Sequence, residues 1–478
     1  MKKMALLLLS FTLLIVADAQ KTLTLKECID IALQNNQQVK DAAYKTNINK
    51  IILQQAKALQ LPNVNINLNQ GLNTGRSIDP FSNQFIDQTI RFGNYGLGLD
   101  FNIFNGLQTS NAIKRGKASL LAGEKDAAAT NNVIALNVIG NYLHLISSQE
   151  IAKATELQLM STQEQLNSAQ KKVEAGVLAE SQLADLNGQL ATEMLSLATA
   201  KNSIELAKFD LYLTMNFEPN EAVIFVVDEL VTLSAANTIN VNDVYEAALK
   251  YLPDLQAIEQ KKRAAELDKI IARGGRYPTL AFFANTGSTY SSSVNKTQFV
   301  LDGTTSTVIN TSPDNFISVG GTDYFIQQKS TVKNGTYKPF TYFNQLNGNI
   351  NSAIGLSLRI PILNGLQAKY KSATASAAIT RIDAQLISVK NQLKNAVERS
   401  VQNLQHGAEK ILLTEHQVAA LQQTLTNSIF KIDNGTSSAT EYVIAKSNYD
   451  KAKINLIQAK YEYQFLLAIV KFYQTGGW

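Results

Sequence analysis

Two spans of equal length, each opened by Asn-Gly-Leu-Gln, constrain this chain more than any other feature. The first opens at Asn105-Gly106-Leu107-Gln108 and closes at Gly176; the second opens at Asn364-Gly365-Leu366-Gln367 and closes at Gly435. Within each span the two glycines lie 70 residues apart, and neither span holds a proline. Read as unbroken helix at 1.5 Å per residue, each span is a rod of about 100 Å. A globular core has no use for helices of that length, so a chain that builds two of them crosses a distance.

The rods belong to a tandem duplication, and repeats are settled before fold class. Leu25, Cys28 and Ala32-Leu33 correspond to Val241, Val244 and Ala248-Leu249 at an offset of 216, as Pro62 does to Pro278. Beyond these the offset becomes 259, and the 43 extra residues of the second copy fall in one loop. The expected organisation is a leader at 1–19, a first repeat at 20–240 and a second at 241–478. The first repeat holds an N-terminal helix near 37–60 and strands at about 62–70 and 95–104. It continues with a long helix at 106–174, a return helix at 182–215 and an equatorial segment at 216–240. The second holds strands at about 278–286 and 353–362, a long helix at 365–432 and a return helix at 441–473. Each long rod therefore faces two stacked shorter helices.

Asn63 to Asn69 alternates strictly, as does Gly96 to Ile103; Ile354 to Ile360 repeats the pattern, and Leu280 to Thr286 follows it less cleanly. Period two separates an apolar face from a polar one carrying Asn, Gly, Ser, Asp and Arg, the pattern of membrane barrel strands. Residues 70–94 and 287–349 read as loops, the second long, rich in Ser, Thr, Asn and Gly and without helical period. Four strands cannot close a barrel, and an open edge is not tolerated in lipid. Two chains give eight strands and an interior filled by side chains. Three give twelve, the smallest symmetric closure with a lumen, so a homotrimer follows. The expected fold is an α+β membrane protein: a trimeric 12-stranded β-barrel, four strands per chain, continued by a long α-helical coiled-coil barrel. Apolar residues from Tyr449 to Tyr473 alternate steps of three and four, the mark of helices packed along their length.

Lys2-Lys3, the apolar run 5–16 and Ala17-Asp18-Ala19 read as a secretory leader cleaved before Gln20. No later stretch has 18 consecutive apolar residues, which leaves export in soluble form or insertion as a barrel. A net charge of +5, or +4 without the leader, is too weak to suggest nucleic acid. The single cysteine, Cys28, can form no internal disulfide. The three histidines, His144, His406 and His416, have no second metal ligand beside them, and no phosphate-binding loop occurs. The sequence therefore offers no catalytic, cofactor-binding or metal site. Arg273-Gly274-Gly275-Arg276 reads as a helix-to-strand joint.

The duplicated strand–rod–turn–half-helix unit, the Asn-Gly opening of each rod and the turns 173–181 and 432–441 together resemble the TolC-type outer-membrane efflux proteins over essentially the whole mature chain. The resemblance implies a passive trimeric exit duct in the bacterial outer membrane with a periplasmic extension. It implies contact with outer-membrane lipid, a tip that docks a periplasmic adaptor, and an inner-membrane transporter that supplies the energy. In such proteins acidic residues often ring the inner end of the tunnel. Here that position is Glu441, with Glu180 and Asp185 as weaker candidates, while Ile444 stands where a second acid is expected. Thr440 is the candidate cap of the helix that Glu441 begins. Gly176 and Gly435 end the rods, and Val177, Leu178 and Ala179 with Thr436, Ser437 and Ser438 are the exposed residues that would meet an adaptor. Protein secretion through the same architecture, and a periplasm-spanning structural or adhesive role, are the competing readings.

Overall fold

The computed structural model describes residues 21–78, 83–218, 223–226, 239–434 and 436–477. The leader at 1–19, most of the segment 216–240, and Gly435 lie outside the described residues. In chain order the first half runs β1 (Lys21–Leu23), α1 (Leu25–Asn35), α2 (Gln37–Ala58), β2 (Asn63–Asn73), β3 (Arg76–Ile78), β4 (Phe85–Asp87), β5 (Ile90–Asn105), α3 (Gln108–Glu174), α4 (Ser181–Met215) and β6 (Val223–Phe225). The second half runs α5 (Val241–Tyr251), α6 (Pro253–Gly274), β7 (Thr279–Ser291), β8 (Thr297–Val319), β9 (Thr322–Pro339), α7 (Tyr342–Gly348), β10 (Asn351–Arg359), α8 (Gln367–Asp433) and α9 (Ala439–Thr475). Helices α3 and α8 have 67 residues each. The chain divides into a helical unit (Met1–Gln54, Ile113–Lys269, Ala373–Trp478) and a β-rich unit (Gln55–Ala112, Ile270–Ser372).

In the β-rich unit four strands form one antiparallel sheet in the order β10-β7-β5-β2. Strands β5 and β7 are inner and β2 and β10 are edges, so each repeat supplies one inner and one outer strand. The Asn-Gly-Leu-Gln segments are the turns from this sheet into the rods. Gly106 and Leu107 have φ of +66° and +62°, and Gly365 and Leu366 have +61° and +60°. Two consecutive left-handed residues reverse the chain sharply, and glycine takes the first at no steric cost. At Gly106 space is also short: a Cβ there would stand 2.3 Å from the carbonyl oxygen of Gly274. Asn105 Oδ1 then accepts from Thr109 N–H at 3.2 Å, satisfying a first-turn donor of α3.

One expectation is corrected here. The stretch 287–349, read as an irregular loop, is mostly a long two-stranded ribbon, β8 paired antiparallel with β9. Its register shifts between Leu301 and Thr305 and again between Thr311 and Phe316. The first leaves the side-chain phase of β8 unchanged, and the second, five residues against two, flips it, which breaks the period of two.

In the helical unit the two repeats pack alike. The capping box of Thr24 and Glu27 starts α1, whose Cys28, Ile29 and Ala32 lie in a core with Val138, Tyr142 and Leu145 of α3 and Leu211 and Met215 of α4. Helix α5 sets Val244 and Ala248 against Val397, Val401 and Leu404 of α8 and Ala459, Tyr463 and Val470 of α9. Small residues on the short helices let them lie close to the rods, and each large apolar side chain so buried contributes roughly 1.5–3 kcal/mol. Burial pushes the Cys28 thiol up to about 12, with the Glu27 charge adding to it. The half-helices also end alike. Asn216 (φ +48°) and Gly476 (φ +72°) are left-handed caps. Asn216 Nδ2 donates to Asn35 O at 3.2 Å, and Gly476 sits against Tyr251. Strand β1 pairs in parallel with β6, and the buried Tyr142 hydroxyl donates to the Val226 carbonyl.

Candidate functional site

Two places concentrate the residues singled out by the sequence: the turns joining α3 to α4 and α8 to α9, and the four-stranded sheet.

At the first turn α3 ends on Glu174, and Gly176 adopts φ +73° with open space around it. Its conformation, not crowding, selects glycine. Val177 N–H donates to Lys172 O at 2.8 Å and satisfies a terminal carbonyl. Val177, Ala179, Glu180 and Asp185 are exposed. Leu178, expected among the exposed docking residues, is instead 9% exposed and joins Ala169, Leu186, Ile432, Ala439 and Tyr442 in an apolar cluster that holds the four helix ends together. At the second turn Thr436 and Ser438 are exposed and Ser437 is half-buried. The cap of α9 is Ser438, which accepts from Glu441 N–H at 3.3 Å, and not Thr440. Thr440 lies one residue inside α9 and donates instead to Asp185 of α4 at 2.8 Å.

Glu441 is not a solitary carboxylate. Lys431 reaches it at 2.8 Å and Ser437 donates to it at 2.5 Å. The hydrogen bond from Lys431, then that from Ser437, holds its carboxyl below the usual carboxylate range. Lys172 pairs with Asp433 at 2.9 Å, so polar links join the two turns at two points. These links are exposed, and pairs of this kind contribute about 0–1 kcal/mol.

Deeper in the same end of the unit lies a cluster that sequence reading missed. Lys446 of α9 sits 3.0 Å from Glu193 of α4 and 2.6 Å from Asp450. The side chains of Lys446 and Glu193 are 3% and 6% exposed. Glu193 also accepts from Gln189 at 2.7 Å, yet its Oε2 is buried with no hydrogen-bond partner among the described residues. Burial pushes the Asp450 carboxyl up, against the pull of Lys446. The i,i+4 spacing of Lys446 and Asp450 was visible in sequence; Glu193, some 250 residues earlier, was not.

The sheet has two chemically distinct faces. On one, Val64, Ile66 and Leu68 of β2 and Ile354, Leu356 and Leu358 of β10 stand 56–75% exposed. On the other, the register aligns Asn63, Asn65 and Asn67 of β2 with Asp100, Gly98 and Gly96 of β5, and these in turn with Phe283, Asn285 and Gly287 of β7. Asp100 and Arg359 are the ionisable residues in the polar phase of these four strands. An exposed apolar face suits a hydrocarbon surround and a neutral, asparagine-rich face suits water. Among the described residues no helix is long and apolar enough to cross a membrane, and no group of His, Cys, Asp and Glu could hold a metal ion.

Residues 28–216 and 244–468 match the family described as outer membrane efflux protein. The outer membrane efflux protein BepC of Brucella suis is 20% identical over 375 residues, spanning 77% of this chain and 69% of its own. The solved outer membrane protein VceC of Vibrio cholerae aligns over 95% of this chain and 96% of its own, with a TM-score of 0.73 at 16% identity. The CmeC outer membrane channel of Campylobacter jejuni aligns over 95% and 86%, with a TM-score of 0.69 at 16% identity. At such identities the likeness to solved structures is one of fold.

Proposed function

Because the chain belongs to the outer membrane efflux protein family, we propose that three copies close a twelve-stranded barrel whose helices continue it into the periplasm as the exit duct of a tripartite pump. The protein is a passive outer-membrane channel with a periplasmic extension, not an enzyme. One observation carries the closure: the four-stranded sheet ends on β2 and β10, two edges with no partner strand among the described residues. In a membrane those backbone groups need partners, and other copies supply them at lowest cost.

In this reading the turns at the end of the helical unit dock a periplasmic adaptor, which links the duct to an inner-membrane transporter. Gly176 shapes the first turn, and Val177, Ala179, Thr436, Ser437 and Ser438 make the contact. Glu441, Glu180 and Asp185 set the charge of the entrance, with Lys431 offsetting Glu441. The deciding measurement is the mass of the detergent-purified protein by light scattering corrected for detergent. Three chains are expected; a folded monomer or dimer overturns the shared barrel. Ser437→Cys is then expected to crosslink to the adaptor in cells making the native pump. Failure at every exposed turn position removes the docking assignment.

A further inference from the structure

The β8–β9 ribbon is unexplained by a duct. Its 18-residue strand β9 spans about 60 Å at 3.3 Å per residue, and it turns at Gly320-Gly321, both with positive φ, the signature of a tight hairpin. Its base is fixed. Phe340 N–H donates to Lys296 O at 2.7 Å, Ser291 N–H donates to Gln345 of α7 at 3.2 Å, and Tyr342 bonds Tyr95 of β5 at 2.8 Å. Beyond the base both strands are exposed almost throughout. The far end carries Phe316, Ile317, Val319, Tyr324, Phe325 and Ile326, each 46–63% exposed. A lone two-stranded ribbon is marginal in water, and the register puts Phe316 and Phe325 on one face and Ile317, Val319, Tyr324 and Ile326 on the other, so both faces of the end expose the apolar surface that marks an interface.

We propose that this apolar end packs against the same end of the ribbons of the other two copies, joining three ribbons around the channel axis. The inference rests on the trimeric closure proposed above. Three observations select a second copy as the occupant. The ribbon's two ends run into β7 and, through α7, into β10, the edge strand that closure pairs with a neighbour, so closure brings three ribbons to one rim. Asp302, Asp314 and Asp323 balance Lys329, Lys333 and Lys338, so copies do not repel, and no excess charge selects an ionic partner or a lipid headgroup. Among the described residues the first repeat has only the three-residue β3–β4 pair at this place, so the long ribbon gives three per assembly and matches a threefold axis.

The test places a cysteine at Ile317 or at Val319 of the full chain and applies a short bismaleimide to cells and to purified protein. The native Cys28 is buried with a raised thiol pKa and serves as the unreactive background. A second pair, Ile66→Cys with Leu356→Cys, reports on the joint between β2 and β10 of neighbouring copies. Covalent dimers and trimers through the ribbon cysteines are expected. If the β2–β10 pair crosslinks while the ribbon thiols stay free, as shown by labelling after denaturation, the inference is overturned and the trimer stands. Crosslinks from the ribbon to a foreign protein also overturn it. If neither pair links and the mass is that of one chain, the closure reading fails and this inference with it.

Discussion

Replacing Lys446 by Ala tests how the helix ends are held together. The ammonium lies between Glu193 and Asp450 in a site where the lysine and glutamate side chains are 3% and 6% exposed. Removing one member of a buried ion pair strands its partners and costs about 3–5 kcal/mol. At 1.4 kcal/mol per factor of ten, local opening of this end of α4 and α9 should rise by roughly 140- to 3,700-fold. The assay is amide hydrogen exchange of the segments around residues 190–196 and 442–452, with the apolar core around Leu145 as internal control. The defect should depend on pH. The folded pKa of Asp450 is already raised by burial, so its contribution is fully present below its ordinary pKa and is lost as pH rises through the raised value. In the variant, protonation of Asp450 relieves the carboxylate repulsion, so the excess exchange should shrink as pH falls toward the ordinary aspartate range and grow as pH rises above it. Adding Glu193→Gln and Asp450→Asn should restore most of the protection. Unchanged exchange in Lys446→Ala, or a defect that does not vary with pH, refutes the reasoning.

Three further outcomes follow from the geometry. Gly106→Ala and Gly365→Ala both carry a left-handed backbone cost of about 1–2 kcal/mol. Only the first also drives a methyl against the Gly274 carbonyl, so its urea midpoint, followed by circular dichroism, should fall clearly further; equal midpoints contradict the close approach. Ile66→Lys on the apolar face should lose about 2–4 kcal/mol of membrane stability, while Asn67→Lys on the polar face should insert into liposomes near normally, and equal insertion would sink the assignment of faces. Asp100 and Arg359 balance on the polar face, so Arg359→Glu should shift the reversal potential in planar bilayers toward cations, and an unshifted potential removes that face from the conducting path.

Much of the architecture was legible because its signals are local. A span without proline between two glycines reads as a rod, and Asn-Gly-Leu-Gln marks the same backbone reversal in both repeats. The alternation of Asn63 to Asn69 separates two faces because β2 keeps one register throughout. The ribbon was lost because its register is broken twice, once with a change of side-chain phase, in a Thr-, Ser- and Asn-rich strand whose composition imitates a loop. The cap of α9 was placed two residues too late, although Ser438 and Glu441 have the spacing of a capping box and Thr440 does not. The burial of Leu178 depends on Ile432 and Tyr442, from the other repeat, and the Lys446 cluster on Glu193. Neither can be read from a window of neighbouring residues.

The two sheet edges that lack a partner strand among the described residues also bear on inheritance. If each barrel needs three complete sheets, one faulty chain spoils a pore shared with two sound ones. In a cell making normal and edge-damaged chains in equal amounts, random mixing leaves roughly one pore in eight wholly normal. A lesion in β2 or β10 that still allows assembly would therefore act dominantly, whereas one that prevents the chain from folding would remove only its own copies and remain recessive.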